Sequence, residues 1–464
     1  MEEINADIVV IGSGPAGQKA AIQASKLGKK AVVIEKFFEP GGNCLYNGTI
    51  PSKSLREAIL DFTRFNERNF YGFKMGEVTI TDLQKRLRQV IEEERNMVYR
   101  QFKKNNIRLV EGEARFEDPH KLIVVDHDYR LLHQINADVI VIATGSKPRN
   151  PHNIPFDNAV ILDSTRLLGI EKIPKSMLVL GGGVIGAEYA SFFAALGTEV
   201  TIIDKKDHIL PMLDSEIGIH LQTSLTDIGL RFLGRKEPTN ITRVGDRASV
   251  TFKDGTILEA DCLLYALGRT ANVDGLSIEN AGIEITEKGY VAVNVLYQTN
   301  VRHIYAVGDV IGGPSLASTS MEQGRLATLH AFGAQTHEFP SFYPIGIYTI
   351  PEISSCGCTE DELKELGFHY EVGRAYHYEL ARAHIVGSNI GLFKLVFHSE
   401  TLELLGVHVI GRGATEVIHI GQVAASFHAK IDYFIDQVFN YPTYAEGYRV
   451  AALNGYNKIK HKKY

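Results

Sequence analysis

Residues 7–35 read D-I-V-V-I-G-S-G-P-A-G-Q-K-A-A-I-Q-A-S-K-L-G-K-K-A-V-V-I-E. Four β-branched residues, Ile8 to Ile11, predict a buried strand, Ala31 to Ile34 predict a second, and Gln18 to Leu27 predict a helix between them. The turn Gly12-Ser-Gly-Pro-Ala-Gly17 joins strand to helix. Gly12 permits a tight turn, Gly14 lets the backbone approach a pyrophosphate, and Gly17 lets the helix pack close to the strand. Pro15 and Ala16 lie within the turn, and the unpaired N–H groups and positive dipole end of the helix that follows favour phosphate. Glu35 falls 18 residues after Gly17, placed to accept hydrogen bonds from a ribose diol, and Lys36 follows it. Strand, turn, helix and acid in register predict a βαβ unit that binds a dinucleotide.

The pattern recurs. Leu178 to Leu180 predict a strand, Gly181-Gly-Gly-Val-Ile-Gly186 a turn, Ala187 to Leu196 a helix, and Glu199 to Ile203 a strand ending at Asp204. Gly12 to Glu35 and Gly181 to Asp204 both span 23 positions. Gly181, Gly183, Val184, Ile185 and Gly186 therefore make a second candidate dinucleotide turn. Asp204 should accept the 2′-hydroxyl of NAD and repel the 2′-phosphate of NADP, whereas Lys205 and Lys206 can counter that phosphate.

The whole chain has 464 residues, 44% hydrophobic and 22% charged, which is globular composition with length for two to four domains. A net charge of −6 gives no basic field for nucleic acid. Four cysteines fit a reducing cytoplasm better than a disulfide scaffold, and Cys356 and Cys358 lack partners at zinc spacing. No apolar run reaches the roughly 18 residues that span a bilayer, and no targeting signal precedes the first strand. The basic end, Lys458 to Tyr464, reads as a frayed, solvated tail. Elsewhere the sequence predicts a helix over Ser52–Phe65 and a longer one to Lys104 opened by a capping box at Thr81–Gln84. Short alternating strands follow to Ile135, then a buried strand over Ala137–Ala143. From Pro344 the texture becomes mixed α+β, with strands at Gly391–His398 and Leu404–Ile410 and a helix over Ala414–His428.

Between the two dinucleotide units stands Gly41-Gly-Asn-Cys-Leu-Tyr-Asn-Gly-Thr-Ile-Pro-Ser-Lys53. This segment resembles the flavoprotein disulfide reductases, such as lipoamide dehydrogenase and glutathione reductase, where it reads G-G-T-C-x-x-x-x-C-x-P-S-K and its two cysteines form the redox disulfide. Here Cys44 is kept and Thr49 occupies the second position. One thiol cannot close an internal disulfide, and a threonine hydroxyl cannot act as a thiolate. The resemblance implies an α/β fold with two Rossmann-like domains and a C-terminal α+β dimerisation domain. Its expected bounds are 1–149 and 274–342 for FAD, 150–273 for NAD(P), and 343–464 for the interface. It places Gly42, Asn43, Cys44, Ala143, Thr144 and Gly145 with Gly12–Glu35 around FAD, and Asp309, the last residue of T-N-V-R-H-I-Y-A-V-G-D, on the ribityl chain. A bare N-cap is the alternative for Asp309, because a helical run to about Phe332 follows. Gly268 goes with the NAD(P) turn. Lys53 and Glu188 match the family's pair beside flavin N5, which nothing in their spacing alone would couple. In the C-terminal signature H-P-T-x-x-E, the histidine serves as acid and base for the thiols; here Tyr441 replaces it, with Pro442, Thr443 and Glu446 kept. A phenol with pKa near 10 is a poor base at neutral pH.

Loss of both the thiol pair and its base leaves hydride transfer through FAD between NAD(H) and NADP(H). Gly346–Ser354 and Tyr448–Gly455 resemble transhydrogenase members of the family. The expected enzyme is a Si-specific, ping-pong NAD(P)+ transhydrogenase, a cytoplasmic homodimer or larger self-assembly without nucleic acid, membrane or metal. Cys44 should be a small flavin-adjacent contact that the reaction does not need. An NAD(P)H:quinone or dye reductase is the enzymatic alternative, and a non-catalytic flavoprotein the alternative from another class.

Overall fold

The strand Glu2–Ile11 is the axis of the first sheet in this computed structural model, which describes residues 2–37, 39–67 and 78–462. It pairs in parallel with Ala31–Glu35 on one side and Leu131–Ile142 on the other, and Arg108–Glu111 lies beyond Ala31–Glu35. Leu131–Ile142 is one strand, where the sequence predicts a break before Ala137. Its first half carries the antiparallel hairpin Glu113–Asp118 and Lys121–Val125, and its last three residues pair with Ile304–Ala306. Two different neighbours thus share one edge of this strand, which local alternation does not reveal. The Ile304–Ala306 pairing also returns a distant part of the chain to the mouth of the first turn.

The second sheet is wholly parallel, in the order Arg231–Leu233, Glu199–Ile203, Ser176–Leu180, Cys262–Tyr265, Ile161–Leu162. A three-stranded antiparallel sheet over 238–260 and a two-stranded ribbon, Ser146–Pro148 with Arg269–Ala271, accompany it. Both glycine turns close alike. Gly12 N–H donates to Ile34 O at 2.8 Å and Gly181 N–H to Ile203 O at 2.9 Å. A Cβ on Gly17 would lie 1.9 Å from Gly12 O, and one on Gly186 would lie 1.9 Å from Gly181 O. Those clashes state why each helix sits so close to its strand. The helices run Pro15–Lys26 and Val184–Ala195 and so begin three residues earlier than the sequence predicts. Gly14 and Gly183 are the N-caps, and Pro15 has the fixed φ that suits a first helical position.

The third sheet is antiparallel: Ile345–Ile347, Ile353–Gly357, Leu404–Gly411, Gly391–His398, Tyr370–Tyr376. The helix Glu446–Lys462 packs on its last strand. A Cβ on Gly373 would meet Ala451 O at 2.1 Å, so glycine there sets the approach. The basic end is therefore not frayed through Lys462, and Lys458 Nζ donates to Val372 O at 2.6 Å; Lys463 and Tyr464 lie outside the described residues.

Two further helix boundaries differ from expectation. The capping box is Thr79 with Asp82, each accepting from the other's backbone N–H, and the helix is Ile80–Lys104. Thr81 is already inside it, because Ile80 buries itself at the first helical position. Thr49 rather than Ser52 begins the helix that runs to Glu67. Asp309 sits in the short 3₁₀ turn Gly308–Ile311, and the following helix starts only at Ala317, so Asp309 does not cap it.

Candidate functional site

A continuous cavity of about 1240 Å³ runs from the Gly12 turn to the Gly181 turn. Of the residues assigned from sequence to FAD or NAD(P), all line it except Gly17 and Gly186, which lie behind the turns as packing glycines. At its first end, Glu35 is buried, and one carboxylate oxygen accepts both the Ser13 N–H at 2.9 Å and the Ser13 hydroxyl. The other oxygen accepts from Phe37 N–H at 3.2 Å. Ser13 Oγ in turn accepts from Gly41 N–H at 2.9 Å, so the turn is tied to the segment that carries Cys44 and Lys53. Lys36 is turned to Glu113 at 3.0 Å.

The middle of the cavity is a charge pair. Lys53 Nζ donates to both Glu188 oxygens, at 2.9 and 2.7 Å, and Glu188 is only 3% exposed. A buried carboxylate needs such partners, because an unpaired charge there is costly. Cys44 lies between this pair and the first turn. Burial pushes its thiol up, outweighing the pull of the Thr49 hydroxyl and the Lys53 ammonium. The described cysteines are all free. Cys356 is buried on the Ile353–Gly357 strand, where desolvation pushes its thiol to about 11, and Cys358 beyond it is raised for the same reason; neither lines the cavity. Asp309 accepts from Ser146 Oγ at 2.6 Å, and Arg269 Nε donates to that same hydroxyl at 2.8 Å. Sequence reasoning missed Ser146 and Arg269, which sit on the two-stranded ribbon and meet Asp309 only through tertiary folding.

At the far end, Asp204 uses both oxygens on backbone: Gly182 N–H at 2.6 Å and Lys206 N–H at 2.8 Å. Lys205 and Lys206 are exposed and make no ion pair among the described residues. Tyr441, in contrast, is 71% exposed and absent from the cavity wall. Glu446 has one buried oxygen without a partner.

Three observations fit the cavity to dinucleotides. Neither helix start has a side-chain cap, so the N–H groups behind Gly14 and Gly183 are left to a ligand. A Cβ on Gly14 or Gly183 would meet nothing within 4 Å, which leaves room against the turn. The Thr144 hydroxyl on the cavity wall is buried without a hydrogen-bond partner. Among the described residues no group of three or more His, Cys, Asp or Glu could hold a metal ion, and no helix is long and apolar enough to cross a membrane.

Comparison with known proteins places these features. Residues 6–324 match the family described as pyridine nucleotide-disulphide oxidoreductase, and residues 343–452 match the dimerisation domain of that family. A Mycobacterium bovis protein named soluble pyridine nucleotide transhydrogenase is 46% identical over 458 residues, covering 98% of each chain. A Photorhabdus laumondii protein of the same name is 42% identical, covering 99% of this chain and all of its own. Among solved structures, LpdA from Mycobacterium tuberculosis superposes with a TM-score of 0.90 at 25% identity over 98% of this chain and 99% of its own. The HOCl-induced flavoprotein disulfide reductase RclA from Escherichia coli gives 0.87 at 28% identity, over 96% of this chain and 99% of its own.

Proposed function

The chain is a member of the pyridine nucleotide-disulphide oxidoreductase family, and from that premise we propose that it passes hydride between NADPH and NAD+ through FAD, without a redox disulfide. The observation that carries this is Thr49 beside Cys44 in a cavity that joins two dinucleotide turns. FAD supplies the hydride-accepting ring. The chain's own residues bind, orient and tune. The Gly12 turn and Glu35 would hold the adenosine end of FAD, Thr144 and Asp309 its linker, and Lys53, its charge fixed by Glu188, would stand beside the ring. A cation there favours the electron-rich form of the ring. Cys44 is a contact and carries no electrons.

Both nicotinamide nucleotides use the Gly181 turn in succession, which is the ping-pong order. Asp204 is already satisfied by two backbone N–H groups, so it presents less unpaired charge to a 2′-phosphate than its sequence position implies. Lys205 and Lys206 take that phosphate when NADP(H) is bound, and NAD(H) leaves them solvated. Transfer is Si-specific. The chain acts in the cytoplasm as a homodimer built through residues 343–452, with the domain bounds given from sequence. The names of the relatives favour this over the quinone or dye reductase.

Anaerobic titration tests the proposal. NADPH should bleach the flavin band with two-electron stoichiometry, and NAD+ should restore it fully. Uptake of four electrons would reveal a second redox centre and defeat the reading.

A further inference from the structure

Lysine is a flexible point charge on a four-carbon stem, and a carboxylate partner alone fixes its charge better than its position. At Lys53, which also donates to Ser52 Oγ at 3.2 Å, a further restraint comes from the segment Tyr348–Glu352, which lies within the residues matched by the dimerisation family. Tyr348 N–H donates to Glu188 Oε1 at 2.9 Å, and the Tyr348 ring lies 4.9 Å from Lys53 Nζ. Two residues on, Ile350 N–H donates to Ser191 Oγ at 3.1 Å, whose hydroxyl donates to Glu188 O at 2.7 Å. From the other helix, Arg56 donates through Nε to Thr349 O at 3.2 Å and pairs with Glu352 at 2.9 Å. The segment thus straps the Lys53 helix to the Glu188 helix.

We propose that Tyr348 is a positioning residue for hydride transfer, whose ring and backbone N–H together hold the Lys53–Glu188 pair in place beside the flavin. The ring faces the ammonium, because a cation is drawn to an aromatic face, while the peptide N–H donates to Glu188 Oε1, the oxygen that also accepts from Lys53, and so pins the carboxylate. Glu188 is thereby fixed from two domains, and so is the charge that biases the ring. This rests on FAD lying beside Lys53.

The test is the midpoint potential of bound FAD in the full-length protein, measured against reference dyes in Tyr348→Phe, Tyr348→Leu, Tyr348→Met and Lys53→Met. Tyr348→Phe keeps the aromatic face and should leave the potential unchanged. Tyr348→Leu should move it to more negative values, by part of the shift that Lys53→Met produces. Tyr348→Met removes the ring at similar length and gives the same reading if the leucine protein does not fold. A merely structural Tyr348 predicts reduced thermal stability with an unmoved potential; that result in a FAD-loaded Met or Leu variant overturns the proposal. Should Lys53→Met itself leave the potential unmoved, the assignment of Lys53 beside the ring fails, and this proposal with it. A wild-type chain that purifies without FAD, by contrast, refutes the functional reading itself.

Discussion

The two dinucleotide turns have the same frame and different fastenings. In both, the first glycine closes on the second strand, the third glycine nearly touches the first, and the acid accepts from the residue after the first glycine. At the first turn that residue is Ser13, whose hydroxyl links Glu35 to the Gly41 backbone. At the second it is Gly182, which offers one N–H, and two exposed lysines, with no ion pair among the described residues, follow the acid. The first turn is tied to the Gly41 segment through a side chain, the Ser13 hydroxyl; the second is tied by backbone alone, Leu210 N–H donating to Gly182 O at 2.8 Å and Lys236 N–H to Asp204 O at 3.0 Å. A resident cofactor suits the first arrangement, which links the turn to the segment carrying Cys44 and Lys53, and an exchanging coenzyme suits the second, whose lysines stand exposed.

Substitution at the third glycine should separate the two turns most sharply. Gly17→Val forces the helix off the strand, an overpacking cost of about 1–3 kcal/mol or more, and the protein should purify without its yellow absorbance. Gly186→Val should keep the flavin and lose bleaching by NADPH; loss of flavin in both variants would erase the proposed division. Next in size is the charge between the turns. Lys53→Met should lower transhydrogenation by about a hundredfold with FAD retained, as expected for removing one preorganised electrostatic group. A smaller effect should come from the lysines. Lys205→Ala with Lys206→Ala should raise the KM for NADPH by about tenfold, equivalent to about 1.4 kcal/mol, and leave that for NADH unchanged; equal changes for both would remove the phosphate assignment. Smallest is Cys44→Ser, where steady-state rates should stay within about twofold, because a protonated thiol without a partner has no redox step. Burial holds that thiol above its ordinary value, so its thiolate is depleted at neutral pH. Iodoacetamide labelling of Cys44 should therefore begin to rise at a higher pH than labelling of an ordinary cysteine.

Sequence made the βαβ units legible because their logic is local: glycines, strand and acid all act within about thirty residues. The absent second thiol was legible through the family resemblance, which sets Thr49 where the second cysteine stands. What depends on tertiary pairing was not. Ser146 and Arg269 converge on Asp309 through a two-stranded ribbon, and Tyr348 reaches Glu188 from 160 positions away. The merged strand Leu131–Ile142 and the cap at Thr79 failed for related reasons: a change of neighbour along one strand, and burial of Ile80, decided boundaries that pattern alone placed elsewhere. The hydrogen bonds Asp204 makes to its own turn were also invisible, although its identity was not.

Threonine in place of the second sulfur has a consequence for survival under chemical stress. Trivalent arsenic and similar thiophilic metalloids inactivate dithiol enzymes by bridging two neighbouring reduced sulfurs. A hydroxyl offers such a reagent no second foothold, so Cys44 alone cannot hold it as a chelate.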